Sequence, residues 1–329
     1  MIITRTPYRI SFFGGGTDYP SWYKEHGGQV LATSIDKYCY ITCRFLPPFF
    51  EHSIRVAYSE IELCNDLDEI KHPSVRETLR ELGVNSGIEI HHDGDMPARS
   101  GVGSSSSFTV GLLNALSGLK NEPLNKDDLL NRSLTIEQDI LKETVGSQDQ
   151  TMAVHGGFNH ITFGQKGEIV VNKLNAPTEN LSNLNSHLML FFTGLTRIAS
   201  SIALTYVNNL QKNEVRLNRM SLMVDEAISI LQNNKNLDGF GELLHETWME
   251  KKSLGTEIST DTIDSIYDRA RSSGALGGKL IGAGGGGFLL LFARPEVQQT
   301  IRASLNGLIE IPFKFEENGS TIIFKDEIK

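Results

Sequence analysis

Glycine placement constrains this chain more than any other feature. Of 31 glycines in 329 residues, twelve fall within three short windows, 14–16, 101–103 and 277–287, where an even spread would put about two. Glycine concentrated in this way marks backbone that must turn sharply or pass close to another group. The middle window, Pro97-Ala98-Arg99-Ser100-Gly101-Val102-Gly103-Ser104-Ser105-Ser106-Ser107, runs into Leu112, Leu113, Leu116 and Leu119 at helical spacing. A glycine loop ending on a helix N-terminus gathers backbone N–H groups around an anion, with about half a unit of positive charge behind them. The four serines add hydroxyl donors and a candidate Mg2+ ligand. This window therefore predicts a phosphate cradle. The familiar alternatives are missing, with no G-x-x-x-x-G-K-[ST] and no H-R-D or D-F-G signature. Gly282, Gly284 and Gly287 match G-x-G-x-x-G, but they lead into Phe288-Leu289-Leu290-Leu291-Phe292. That reads as a strand, whereas a dinucleotide fingerprint requires a helix there.

The third window lies between two buried-strand patterns. It reads as a strand–loop–strand whose bare backbone lets a neighbouring loop or ligand approach, rather than as a linker. The first window, Phe12-Phe13-Gly14-Gly15-Gly16-Thr17-Asp18-Tyr19, offers a carboxylate, a hydroxyl and a phenol suited to sugar hydroxyls, a plain turn being the alternative. A helix is expected over 127–143 with Asn125 as its cap. Leu130, Leu134 and Leu141 share one face of it, and Glu137 stands in the same stripe. A carboxylate buried there needs a cation or metal; one at the stripe's edge would keep its head in water. Gly146-Ser147-Gln148-Asp149-Gln150 places a second carboxylate just past the helix end.

Strand patterns are expected at Ile2–Phe13, 29–35, 37–46, 53–58 and 86–92, then at Phe158–Phe163 and 168–174. Residues 175–186 are polar and contain Pro177, which reads as the domain boundary and divides the chain into 1–185 and 186–329. Beyond it lie a strand at Leu188–Phe192, helical spacing at Met220, Val224, Ala227 and Leu231, and helices at 237–254 and Asp261–Ser272. The fold class expected is α+β in two parts. A net charge of −9 with no Lys/Arg block argues against nucleic-acid binding. The longest apolar run, 288–293, is far short of a membrane span. Three cysteines cannot form a closed disulfide framework, so a cytoplasmic location is expected.

In order and spacing, the three windows resemble the GHMP small-molecule kinases, over essentially the whole chain. Segment 97–107 is similar to their P-x-x-x-G-[LV]-G-S-S loop, 279–288 to their C-terminal glycine motif and 9–19 to their N-terminal sugar-kinase motif. Within that superfamily, Arg9-Ile10-Ser11-Phe12-Phe13-Gly14-Gly15-Gly16-Thr17-Asp18-Tyr19 looks most like the D-glycero-D-manno-heptose-7-phosphate kinases. Galactokinases carry Gly-Glu-His-Thr-Asp-Tyr instead, so Gly15 and Gly16 replace an acidic and an aromatic side chain, which implies room for a longer substrate.

The resemblance implies a ribosomal-S5-domain-2-like N-terminal half and a ferredoxin-like C-terminal half, with the active site between them. It implies that Asp149 is the catalytic aspartate and that Arg9 stands by the transferring phosphate. Pro97, Arg99, Ser100, Gly101, Val102, Gly103, Ser104, Ser105, Ser106 and Ser107 would hold ATP, and Ser105 and Glu137 would ligate Mg2+. Gly15, Gly16, Thr17, Asp18 and Tyr19 would contact the sugar, while Gly284, Gly285 and Gly286 close over it. The implied reaction is ATP-dependent phosphorylation of the C1 hydroxyl of D-glycero-D-manno-heptose 7-phosphate to the 1,7-bisphosphate, on the way to activated heptose for surface polysaccharide. An L-fucose or galactose kinase and a catalytically silent sensor are the alternatives. For the substrate's 7-phosphate, Arg197 is the first candidate, with Lys37, Arg44 and Arg99 behind it. The expected partners are small molecules, with a homodimer left open.

Overall fold

In the computed structural model, which describes residues 1–195, 210–233 and 236–326, the apolar alternation at the start becomes β1 (Ile2–Phe13). A short helix, α1 (Pro20–His26), leads into β2 (Gly28–Phe45), which pairs antiparallel with β1 along nearly its whole length. The sequence pattern divides β2 near residue 36, yet the strand runs through. Its register against β1 slips between Pro7 and Tyr8, so Asp36 and Lys37 are passed over in a bulge. Pro7 has no N–H to give the ladder, which makes that point the natural place for the slip.

The first half continues with β3 (Ile54–Ala57), β4 (Ile61–Cys64), α2 (Pro73–Glu81), β5 (Ile88–Gly94) and α3 (Ser104–Leu119). It goes on through α4 (Lys126–Leu134), α5 (Gln148–His155), β6 (Phe158–Phe163), β7 (Ile169–Lys173) and α6 (Thr178–His187). The expected 127–143 helix is α4 followed by a π-helical turn, Thr135–Ile140, in which Leu141 N donates to Ile136 O at 2.9 Å. The polar boundary segment forms α6. Its polar residues are mostly outward, while Leu184 is fully buried and Asn180 donates to Leu231 O at 2.8 Å.

The second half comprises β8 (Leu188–Phe192), α7 (Glu214–Asn233), α8 (Asp238–Lys252), α9 (Asp261–Ser272), β9 (Gly277–Leu280), β10 (Phe288–Phe292), α10 (Gln298–Ser304) and β11 (Ile309–Glu310). The chain then returns to the first half as β12 (Phe315–Glu316) and β13 (Thr321–Lys325). A nine-stranded sheet runs β13-β1-β2-β5-β3-β4, with β6 and β12 branching from β2 and β7 paired beyond β6, and a four-stranded sheet runs β11-β8-β10-β9. Helix α3 lies across β1 and β2. Phe12 and Phe13 at the end of β1 meet Phe240 of α8 edge-on at 5.5 and 5.1 Å, and Phe12 also stacks on Phe158 at 5.4 Å. Such pairs contribute roughly 0.5–1.5 kcal/mol each beyond their buried area, and they tie the two halves together beside the first glycine window. Among the described residues, no helix is long and apolar enough to cross a membrane. Cys39, Cys43 and Cys64 are unpaired and buried. Arg197 lies outside the described residues.

Candidate active site

The glycine windows converge on one cleft between the halves. Gly101 (φ +86°) and Gly103 (φ +77°) turn the chain into the N-terminus of α3 through backbone that L side chains seldom adopt. A Cβ on Gly101 would overlap the Ile281 carbonyl, and one on Gly282 would overlap Gly101 itself. The second and third windows thus pack backbone against backbone. Ser104, Ser105 and Ser106 open on the cleft with Arg99. The other loop residues shape it instead: Ser100 Oγ donates to Pro97 O at 2.6 Å, Val102 is fully buried, and Ser107 Oγ turns away to Pro7 O at 3.0 Å.

On the opposite side of the loop, Arg9 makes a bidentate pair with Asp149. Nε donates to Oδ1 and Nη2 to Oδ2, both at 2.8 Å, while Nη1 donates to Gly101 O at 2.6 Å. The two side chains are 6% and 28% exposed, so the pair is shielded but reachable from the cleft. Asp149 sits in the first turn of α5, where the helix favours negative charge. Gln148 braces the cluster: its Oε1 accepts from Ser11 Oγ at 2.8 Å, its Nε2 donates to Asp149 Oδ1 at 3.3 Å and its backbone N donates to Asp18 Oδ2 at 3.4 Å. Asp18 also accepts from Gly16 N at 2.9 Å. Burial, and then the neighbouring Asp149, push its carboxyl above the usual range.

Several expected contacts are placed differently. Thr17 is fully buried, and its hydroxyl accepts from Gln29 N while its one proton is within reach of both Gly14 O and Gln29 O. It closes the turn and does not line the cleft, whereas Asp18 and Tyr19 do. From the third window, Gly282 and Ala283 face the cleft. Gly284, Gly285 and Gly286 lie behind them: Gly284 packs on Ile258, Gly285 N donates to Ile258 O at 2.9 Å and Gly286 packs on Leu195. Lys37 and Arg44 are engaged with Asp36 and Glu89.

Glu137 is fully buried in the π-helical turn, as its apolar stripe predicts. Its Oε2 accepts from Ser106 Oγ at 2.8 Å and from Gln150 Nε2, and its Oε1 has no partner. Burial raises its carboxyl to about 7, and the hydrogen bonds from Ser106 and Gln150 oppose the shift. The hydroxyl between Glu137 and the cleft is that of Ser106, with Ser105 exposed one residue before it. Two cations given no role from the sequence also line the cleft, Lys251 of α8 and Lys279 of β9 at the start of the third glycine motif. The stripe argument that singles out Glu137 applies to Lys251, which follows the buried Leu244 and Trp248 at i+7 and i+3.

The GHMP kinase N-terminal domain model matches residues 70–157, and the GHMP kinase C-terminal model matches 223–308. The chain belongs to the GHMP kinases. This GHMP kinase is 30% identical to the D-glycero-alpha-D-manno-heptose 7-phosphate kinase of Campylobacter jejuni, over 97% of each chain. It superposes with a TM-score of 0.80 on a D-glycero-D-manno-heptose 1-phosphate kinase structure from Bacteroides thetaiotaomicron, at 23% identity over 99% of this chain and 100% of that one. The galactokinase of Lactococcus lactis gives 0.75 at 18% identity, over 97% and 94% of the two chains. The two-domain α+β GHMP fold is thereby established, and with it the activity of an ATP-dependent phosphotransferase.

Proposed function

We propose that this GHMP kinase is a cytoplasmic sugar kinase that transfers the γ-phosphoryl of ATP to the C1 hydroxyl of D-glycero-D-manno-heptose 7-phosphate. The observation that carries the reading is the bidentate Arg9–Asp149 pair beneath the α3 phosphate loop, with Asp18 bridged to it through Gln148. Phosphoryl transfer asks for positioning and charge stabilisation more than for covalent chemistry. Arg9 and Gln148 both donate to Asp149 Oδ1, and Arg9 takes one lone-pair position on Oδ2, leaving the other for a substrate hydroxyl. The C1 oxygen attacks the γ-phosphorus as its bond to the bridging oxygen breaks, ADP leaves, and the hydroxyl proton passes to Asp149. Arg9, fixed by Gly101 O, faces the charge that develops. The α3 N-terminus holds the nucleotide's phosphates.

The substrate's length bears on the first window. A Cβ on Gly15 would meet nothing nearer than Ser11 Oγ at 3.6 Å, so this position leaves real room. Gly16 is different: its φ is +106° and a Cβ would crowd Leu217 at 3.0 Å, so the backbone requires glycine there. The similarity to the Campylobacter jejuni enzyme supports heptose 7-phosphate as the acceptor that fills the space.

Mg2+ fits the residues present. Glu137 Oε1 is a buried carboxylate oxygen without a partner, and no cluster of three acidic or metal-binding side chains occurs among the described residues. That suits an ion held by one carboxylate, a serine hydroxyl from the Ser105–Ser106 step and the nucleotide's own phosphates. When bound, Mg2+ supplies charge neutralisation on the phosphate oxygens. Without it, Glu137 binds its proton more tightly in the folded than in the unfolded chain. Stability then falls as pH rises from about 4.5 to about 7, by up to about 3 kcal/mol. Thermal unfolding of metal-free protein across that range should show the loss in wild type and not in Glu137→Gln, and added Mg2+ should recover part of it in wild type alone. Parallel curves for the two proteins would remove the charge from Glu137.

A coupled ADP-release assay with heptose 7-phosphate, L-fucose, galactose and mannose tests the function. The expected order places heptose 7-phosphate highest in kcat/KM by at least about tenfold, a difference of ~1.4 kcal/mol in transition-state binding. A higher value for any unphosphorylated sugar overturns the substrate, and ADP release with none of them leaves a sensor.

A further inference from the structure

We propose that Lys251 and Lys279 form the binding site for the phosphate that the acceptor sugar already carries. The assignment rests on the reading of the acceptor as a sugar phosphate. Both lysines are almost wholly buried, at 8% and 2% exposure, and both line the cleft. Lys251 Nζ donates to Leu280 O at 3.1 Å and to Gly282 O, while Lys279 Nζ donates to Phe12 O at 2.8 Å. An ammonium has three donors, so three remain between the two groups. Among the described residues neither lysine forms an ion pair, and a buried cation without one is costly.

The nucleotide's phosphates have their own cradle at the α3 N-terminus, so the two lysines are not needed to build it. Their anchors place them with the acceptor: Phe12 O immediately precedes the first glycine window, and Arg9 and Asp18 are the fixed charges acting on both. Arg9 and Asp149 neutralise one another, so Asp18 is the remaining carboxylate acting on the two lysines. A phosphate on the acceptor supplies the missing negative charge and accepts the free donors. Of the earlier candidates, Arg197 lies outside the described residues, Arg99 opens on the same cleft, and Lys37 and Arg44 are committed elsewhere.

The experiment measures kcat/KM with heptose 7-phosphate and with the same heptose lacking phosphate, for wild type, Lys251→Met and Lys251→Arg. The ratio of the two constants should fall by about 10- to 100-fold in Lys251→Met, the size of a lost hydrogen bond to a charged group. Lys251→Arg, which keeps the charge, should hold the ratio within a few-fold. A ratio unchanged in the methionine variant, or activity lost equally on both sugars, overturns the lysine assignment while heptose 7-phosphate stands as substrate. Wild type that prefers the unphosphorylated sugar overturns the substrate reading, and this assignment with it, before any variant is made. Wild type also provides a test free of folding effects. Burial and the Arg9 charge lower the free-enzyme Lys251 to about 7, opposed by Asp18, and burial also lowers Lys279. Deprotonation above pH 7, in a site faced by Arg9, Asp18, Asp149 and Lys279, should make the wild-type ratio fall toward pH 9. A flat ratio from pH 7 to 9 counts against the lysines.

Discussion

Asp149→Ala is expected to lower kcat by about 10³-fold or more while ATP still binds within a few-fold of wild type. General acid–base assistance is worth roughly 10²- to 10⁴-fold, and this carboxylate also fixes the guanidinium that faces the transferring phosphate. The phosphate cradle stands on α3, a different element, and keeps its own geometry through Gly101 and Gly103. Loss in kcat with ATP affinity retained therefore separates Asp149 from the nucleotide site. Removing it leaves Arg9 largely buried and bonded only to Gly101 O. Some stability is lost with it, reduced by the partial exposure of Asp149. Asp149→Asn should regain that stability and little of the activity, because an amide can hold Arg9 through its oxygen but cannot take a proton. Single-turnover rates and nucleotide binding measured on both variants check this; near-normal turnover in Asp149→Ala would remove its catalytic role.

Gly101→Ala should be the most damaging single methyl group in the cleft. The new Cβ would overlap the Ile281 carbonyl, a backbone atom that cannot rotate away, and φ +86° is itself strained for alanine. The backbone conformation alone costs roughly 1–2 kcal/mol, and the overlap forces the second and third windows apart. We expect KM for ATP to rise at least about tenfold, equivalent to ~1.4 kcal/mol, together with a lower melting temperature. Gly15→Ala is the matched control, since its Cβ has room and its backbone is ordinary; it should melt like wild type. Equal melting temperatures for Gly101→Ala and wild type would show that the two windows do not depend on their close approach.

The two carboxylates were legible in the sequence for different reasons. Glu137 stands out as a charged residue in an apolar helical stripe, either buried or at the stripe's edge, and the structure buries it completely. Asp149 stands out by its motif. What periodicity leaves open is the direction a side chain faces on a turn. Thr17 has the chemistry of a sugar contact, yet its hydroxyl is used up closing the loop with Gly14 and Gln29. Gly16 and Gly284 to Gly286 have the look of space made for a ligand, but the chain itself fills that space with Leu217, Ile258 and Leu195. The bulge at Asp36 and Lys37 was hidden because it depends on Pro7 in another strand. Lys251 was within reach of the same stripe argument as Glu137. Lys279 was not, since a strand buried on both faces carries no alternation to mark one residue.

The return of β12 and β13 to the first sheet has a consequence for how the protein is made. Ser320, just before β13, accepts a hydrogen bond from Thr6 of β1 at 2.8 Å and another from Asn114 of α3 at 3.0 Å, and its backbone N donates to Ala153 O of α5 at 2.8 Å. Those three elements carry Arg9, the phosphate loop and Asp149. A chain still being translated has made Arg9 and Asp149 by residue 149 and Lys251 and Lys279 by residue 279, but the serine that joins their supports comes 41 residues after the second lysine. Until residue 320 has been made and has folded back, β1, α3 and α5 lack the hydrogen bonds by which this serine joins them.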